Sequence, residues 1–159
     1  MGYEIERKFL LLNEGWRPAV IAVDTFRDGL LLRSRSGKVR VRQRLQKAWI
    51  TVKGARHGIR RPEFEYEIPI SDAVEMIETL CGPAIQKTRH TVIYADLAWS
   101  VDIHHGVLAG IEFAEVELAD PRQCVEFPEW IGEEITHDVR FRKETLLRRC
   151  VEEAALPMS

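Results

Sequence analysis

Seven short segments of this chain alternate charged residues with apolar or neutral ones. They are Glu4-Ile5-Glu6-Arg7-Lys8, Arg40-Val41-Arg42-Gln43-Arg44, Thr51-Val52-Lys53, Glu63-Phe64-Glu65-Tyr66-Glu67, Lys87-Thr88-Arg89, Val101-Asp102-Ile103 and Glu115-Val116-Glu117. A side-chain period of two belongs to a strand, so each segment gathers its charges on one face. Most of the opposite faces are apolar: Ile5 and Phe9, Val39 and Val41, Ile50 and Val52, Phe64, Tyr66 and Ile68, Val101 and Ile103, Val116 and Leu118. Two folds accommodate such a set. An open antiparallel sheet would leave the charged face in water and pack the apolar face on helices. A sheet curled into a barrel would turn the charged faces inward and enclose a wet channel, because that interior is too polar for a packed core.

The charges are sorted as well as aligned. The segments at 40 to 44, 53 and 87 to 89 are basic, and those at 63 to 67, 102 and 115 to 117 are acidic. Residues 1 to 61 hold 15 Lys/Arg against 5 Asp/Glu, and residues 62 to 159 hold 8 against 20, although the net charge is only -2. Sorted charge suits a ligand with both metal and anion parts. The first segment shows the chemistry in miniature. Glu4 and Glu6 share a face and repel each other unless a cation lies between them, and a hard divalent ion takes carboxylate and phosphate oxygens. Lys8 on the same face would meet the phosphate. Extended nucleic acid is disfavoured, since the acidic half would repel a phosphate backbone.

One segment breaks phase: Ile111 and Phe113 share parity with Glu115 and Glu117. Either the apolar half of that strand lies at a rim, or a bulge intervenes near Gly110.

At 159 residues with 45% hydrophobic and 30% charged composition, the chain reads as a single domain over 1–159 with a real core. Glu4, Glu6, Arg7 and Lys8 interrupt any early apolar run, so no signal peptide is expected, and no stretch approaches membrane-spanning length. Cys81, Cys124 and Cys150 lack metal-ligand spacing and read as reduced, buried thiols of a cytoplasmic protein. Three helices are expected. One follows Ser71-Asp72 and carries Val74, Ile77 and Cys81 to a stop at Gly82-Pro83. A second spans about Pro121 to Phe127 behind an Asp120 cap. A third runs from about Arg142 to Ala155 and buries Leu146, Leu147, Cys150, Val151 and Ala154. Ser36-Gly37 marks a tight turn, and Asn13 to Asp24 is either a short helix or a loop pinned by Trp16.

With these residues assembled, the chain resembles the CYTH superfamily, or triphosphate tunnel metalloenzymes, whose signature is an N-terminal Glu-x-Glu-x-Lys strand, here Glu4 to Lys8. The order of the later segments also follows that family over roughly residues 3 to 150, and looks closest to its small single-domain bacterial members. The resemblance implies an α+β fold: an eight-stranded antiparallel closed or nearly closed barrel, charged inside, with helices packed outside. It implies that Glu4, Glu6, Glu115 and Glu117 hold Mg²⁺ or Mn²⁺. Arg40, Arg42, Lys53, Lys87 and Arg89 would grip a triphosphate, with Lys8 beside them. Glu63, Glu65 and Glu67 match the acidic strand, with the functional pair among them open, and Asp102 matches a position assigned to the metal or the catalytic water. Arg140 is expected at the tunnel mouth.

Two departures stand out. Asp28-Gly29-Leu30 occupies the place where many relatives carry Gln-x-Tyr, and Phe141-Arg142-Lys143 replaces a Tyr-x-Asn-like pair. Both bear on substrate choice more than on the triphosphate grip. The implied activity is metal-dependent hydrolysis of inorganic triphosphate to pyrophosphate and phosphate. A class IV adenylyl cyclase, a thiamine triphosphatase and a non-catalytic polyphosphate or nucleotide-binding module are the alternatives. The expected partner is a small triphosphate or nucleotide, and a homodimer is compatible with the sequence. No Ser-His, Cys-His or Gly-rich phosphate loop competes for the chemistry. His104 and His105 point to opposite faces, so at most His104 joins Asp102 inside, and a structural or solvated histidine is favoured. Arg56 to Arg61 reads as a solvated connection, and Trp49, Trp99 and Trp130 as packing anchors.

Overall fold

The structure, a computed structural model, describes residues 2–155. Met1 and residues 156–159 of the expected 1–159 domain lie outside the described residues. Nine strands form one antiparallel sheet: β1 (Tyr3–Leu11), β2 (Val20–Ser34), β3 (Gly37–Arg44), β4 (Lys47–Gly54), β5 (Arg60–Ile68), β6 (Ile85–Tyr94), β7 (Leu97–His105), β8 (Glu112–Glu117) and β9 (Ile131–Glu134). Their order is β5-β4-β3-β2-β6-β7-β8-β1-β9, and a further pairing of β5 with β1 closes eight of them into a barrel. Closure uses both edges of β1. Glu6 to Phe9 pair with β8, Tyr3 to Ile5 with β5, and β9 takes the remainder through Phe9 and Leu11. The 15-residue β2 serves β6 with its first half and β3 with its second, and a register shift between Leu30 and Leu32 bends it around the wall.

The turns follow their residues. At the expected turn before β3, Gly37 adopts φ 152°, and a Cβ there would lie 2.0 Å from the Lys53 carbonyl oxygen, so only glycine fits. Ala95 and Asp96 both take positive φ, the signature of the two-residue turn that suits a twisted hairpin.

Alternation places the charges inward and the main cores outward. Phe9, Trp16, Val92, Trp99, Val101, Val116 and Trp130 form one core on the barrel's exterior. Its cover differs from the expected helix at Pro121 to Phe127, which is a turn followed by irregular chain. Asp120 caps only that turn, accepting from Arg122 N at 2.8 Å, and Val125 and Phe127 supply no helical stripe. Instead Phe127 packs edge-on against Phe9, with ring centroids 5.4 Å apart. The stretch from Asn13 holds a single 3₁₀ turn, Arg17–Ala19, behind the buried Trp16, and β2 begins at once.

Helix α1 (Ile70–Thr79) packs Ala73 and Ile77 on Val41 and Ala48. It starts before the expected Ser71, with Pro69 at the cap position and no side-chain cap. Helix α2 (Lys143–Ala155) buries Leu146, flanked by Leu147 and Cys150. Full burial of one such leucine contributes about 1.5–3 kcal/mol. Val151 and Ala154, expected on the buried face, are exposed because α2 meets the barrel only through its first two turns. Cys81 and Cys150 are half-buried, and Cys124, expected to be buried, is exposed in the irregular cover.

The out-of-phase residues are explained by the barrel's end. Ile85 and Phe113 occupy inward positions beyond Lys87 and Glu115, and they pack with Leu10, Ile111, Ile135, Leu146 and Leu147. The apolar half of β8 therefore lies at a rim, where α2 helps plug one end of the channel.

Candidate active site

The barrel encloses a cavity of about 570 Å³ lined mainly by charged side chains. Strand order turns the sorted sequence into two walls. Glu63 and Glu65 on β5, Glu4 and Glu6 on β1, and Glu115 and Glu117 on β8 project from three neighbouring staves. Arg40 and Arg42 on β3, Lys53 on β4, and Lys87 and Arg89 on β6 project from the other side. Where the walls meet, opposite charges pair. At one seam Lys53 Nζ lies 3.0 Å from Glu4 Oε1 and 3.2 Å from Glu63 Oε2. At the other, Arg89 bridges Asp102 at 2.7 Å and Glu115 at 3.3 Å.

Away from the seams, Arg42 pairs with Asp28, whereas Arg40 and Lys8 have no carboxylate salt-bridge partner among the described residues. Arg40 has a buried Nε without a hydrogen-bond partner, and its Nη2 reaches only Thr51 Oγ1 at 3.4 Å. Lys8 Nζ donates to the Phe141 carbonyl at 3.2 Å and lies 4.0 Å from the Phe113 ring centre. Burial lowers the pKa of both cations. On the acidic wall, burial with Glu115 and Glu4 alongside pushes Glu6 up to about 8. Burial also raises Glu117. Glu4 behaves differently: burial opposes its ionisation, but Lys53 outweighs burial and holds it below the usual carboxylate range.

The acidic wall fits a metal. One oxygen from each of Glu4, Glu6 and Glu117 falls within 4.8 Å of the others, a hard-oxygen set whose mutual repulsion a divalent cation would relieve. Glu115 is next to them, since it pairs across from Lys8 while Glu117 pairs across from Glu6. It leans toward Arg89, and Lys143, Arg89 and Lys87 outweigh burial and Asp102 to hold it well below the usual range.

The structure brings most of the sequence-predicted residues to this cavity and leaves three out. Glu67 lies one strand repeat beyond Glu65, opposite Trp49, and is exposed away from the cavity. Arg140 is turned outward into a pair with Asp138, Nη2 to Oδ2 2.6 Å, because Asp138 caps the short turn that carries it. Asp102 is 1% exposed beneath Lys87 and Arg89, accepting from Lys87 Nζ at 2.7 Å, so it contacts cations and not the cavity. Those cations outweigh burial and hold it well below the usual range.

His104 is buried, with Nδ1 2.8 Å from the Ile111 carbonyl, and burial followed by Lys143 pushes it down to about 4. It does not line the cavity.

Further residues line the cavity, among them two of the departures from the family pattern, Leu30 and Lys143. Lys143 and Glu144 reach the cavity from the start of α2, and Lys38 Nζ meets Glu144 Oε1 at 2.9 Å. Arg56 and Arg61, read as part of a solvated connection, line the cavity too, as does Leu30. The signal for Lys143 was its place in the departure Phe141-Arg142-Lys143, but only the packing of α2 on the barrel end shows where it points.

Comparison with known proteins agrees with this geometry. A family model for the CYTH domain matches residues 2–151. An inorganic triphosphatase of Acetivibrio thermocellus is 38% identical over 149 residues, 93% of this chain and 95% of that protein. An inorganic triphosphatase of Nitrosomonas europaea is 31% identical over 149 residues, 90% of this chain and 95% of its own length. Among solved structures, an inorganic triphosphatase superposes with a TM-score of 0.63 at 28% identity, covering 91% of this chain and 97% of that one. A putative adenylate cyclase from Bacillus halodurans shares the fold, with a TM-score of 0.58 at 18% identity over 76% of this chain and 84% of its own. With the signature strand, the two-walled tunnel and these relatives in agreement, this chain belongs to the CYTH domain family.

Proposed function

We propose that the protein is a metal-dependent hydrolase that converts inorganic triphosphate to pyrophosphate and phosphate, working as a single domain. The observation that carries this reading is the pair of opposed charged walls, which suits a ligand made of phosphates bound to a divalent ion. The named activity of the two curated relatives supports it. Arg40, Arg42, Lys53, Lys87 and Arg89 bind the phosphate oxygens, and charge-assisted hydrogen bonds hold the chain extended. Lys143 joins them from α2.

Glu4, Glu6 and Glu117, with Glu115 beside them, would hold Mg²⁺ or Mn²⁺. The ion would neutralise phosphate charge and make the phosphorus a better electrophile. Phosphoryl transfer needs mainly positioning and charge stabilisation from the protein. Glu63 and Glu65 line the cavity from β5, where a carboxylate can orient the attacking water and take its proton. Lys8, one of the cations without a carboxylate partner, stabilises charge that builds on the transferred phosphoryl group. Asp102 acts through Lys87 and Arg89, which it holds in place. Three free cysteines and a substrate of small anions suit a cytoplasmic setting.

The test is a panel of inorganic triphosphate, ATP and thiamine triphosphate, each with Mg²⁺, Mn²⁺ or chelator. Phosphate release from inorganic triphosphate in the presence of metal, well above the other two, is expected. Conversion of ATP to cyclic AMP and pyrophosphate with inorganic triphosphate untouched would overturn the proposal.

A further inference from the structure

Asp28 puts a carboxylate in the middle of the basic wall. On charge alone it opposes the wall's purpose, because it weakens the pull of Arg40, Arg42 and Lys87 on phosphate. Its geometry shows what it gives in return. Arg42 Nε donates to Asp28 Oδ1 at 2.8 Å and Nη2 donates to Oδ2 at 2.8 Å. Such a two-pronged contact fixes the plane of the guanidinium as well as its distance.

One strand repeat earlier, Phe26 lies 4.3 Å from Arg42 Cζ, 5.6 Å from Arg89 Cζ and 5.9 Å from Lys87 Nζ, measured to the ring centre. Three cations that repel one another thus share the face of one buried ring. Cross-strand register brings this about, since Asp28 is opposite Arg42 on β3 and Phe26 is opposite Lys87 on β6.

We propose that Phe26 and Asp28 are positioning residues for the triphosphate reaction, holding Arg42, with Arg89 and Lys87, in a fixed array facing the cavity. The inference rests on the tunnel being the triphosphate site. It makes a prediction opposite in sign to a purely electrostatic role. If Asp28 only diluted the positive field, Asp28→Asn would tighten triphosphate binding. If it positions Arg42, the same isosteric change lets the guanidinium swing and weakens binding and turnover. Small misplacements of a catalytic array cost up to about 100-fold.

The experiment is a double-mutant cycle of Asp28→Asn with Arg42→Ala, and a second of Phe26→Leu with Arg42→Ala. It is read as kcat/KM for inorganic triphosphate and as calorimetric Kd for the same anion. We expect Asp28→Asn to lower kcat/KM about 10- to 100-fold in the wild-type background and to change it little once Arg42 is absent. Equal losses in both backgrounds, or tighter binding by Asp28→Asn, would overturn the inference while leaving the triphosphatase reading intact. If Asp28→Asn does not fold, the Phe26→Leu cycle decides: because Phe26 also meets Arg89 and Lys87, a loss that is smaller without Arg42 than with it supports the inference, and no loss in either background overturns it. If the wild type binds triphosphate without hydrolysing it, the hydrolase reading fails and the cycle on Kd still decides. A wild type that binds no triphosphate overturns both.

Discussion

Lys53 and Glu4, 49 residues apart in the chain, meet at the seam of the barrel with Nζ between the two carboxylate oxygens at 3.0 and 3.1 Å. The pair joins the basic wall to the acidic one and, of the four carboxylates on β1 and β8, leaves Glu6 and Glu117 without a salt-bridge partner among the described residues. In this account Glu6→Gln abolishes tight Mg²⁺ or Mn²⁺ binding and turnover, while triphosphate still binds the basic wall. Calorimetry with metal alone and with triphosphate alone separates these effects. Undiminished metal affinity would remove Glu6 from the metal site.

The same residue sets a pH dependence. Burial, with Glu115 and Glu4, pushes Glu6 up to about 8 from an ordinary value of 4.5. Between those values the folded protein holds a proton that the unfolded chain has lost. The resulting stabilisation is complete below about 4.5 and is lost as pH rises through 8. His104, pushed down to about 4 from an ordinary 6.5, works in the opposite sense up to pH 6.5. Metal-free protein should therefore lose thermal stability from about pH 6.5 to pH 8, and Glu6→Gln should flatten that slope. Metal binding at pH 7 should release about one proton per ion, visible as a buffer-dependent binding enthalpy. A flat wild-type profile under chelation would contradict this assignment.

Arg40 and Asp102 make a contrasting pair. Arg40 is half-buried and has no carboxylate partner among the described residues, so Arg40→Met should raise KM for triphosphate tenfold or more, on the order of one charge-assisted contact, without lowering the melting temperature. Asp102→Ala strands Lys87 and Arg89 and should cost about 3–5 kcal/mol in urea unfolding. Equal stability losses for the two variants would refute the distinction between a binding cation and a held one.

Much of this was legible in the chain. The period of two fixed which face each charge would occupy, and sign sorting anticipated the two walls, because neighbouring staves carry like charge. What period and sign could not supply was depth along the barrel. Glu67 has the same parity and sign as Glu65, yet one repeat carries it past the cavity. Ile111 and Phe113 kept the inward parity at the end where the channel is plugged. Pro121 to Phe127 had a good cap and no stripe, so its aromatic packed as irregular chain. Lys143 was marked as a departure from the family pattern, but where it points depends on how α2 docks, which is a tertiary fact.

Arg140 gives a direct check of that depth argument. It is exposed and engaged with Asp138, so Arg140→Ala should leave kcat/KM within about twofold of wild type. A large loss would place the residue in the tunnel in solution.

Gly29 tests the packing that carries the basic wall. A Cβ on it would lie 2.8 Å from Cys81 Sγ and 3.2 Å from Ile77 Cγ1 beneath α1. Gly29→Ala should cost about 1–3 kcal/mol in urea unfolding, as overpacking does, and Cys81→Ala added to it should recover part of the loss. A Gly29→Ala protein as stable as wild type would show that α1 moves away freely.

Opposed acidic and basic walls that hold a divalent ion should hydrolyse inorganic triphosphate. Phosphorus NMR of purified protein with inorganic triphosphate, with Mg²⁺ or Mn²⁺ and then with chelator, tests it most directly. Equal amounts of phosphate and pyrophosphate are expected with metal, and intact triphosphate with chelator. Triphosphate that persists with either metal, or that is consumed equally under chelation, would contradict it.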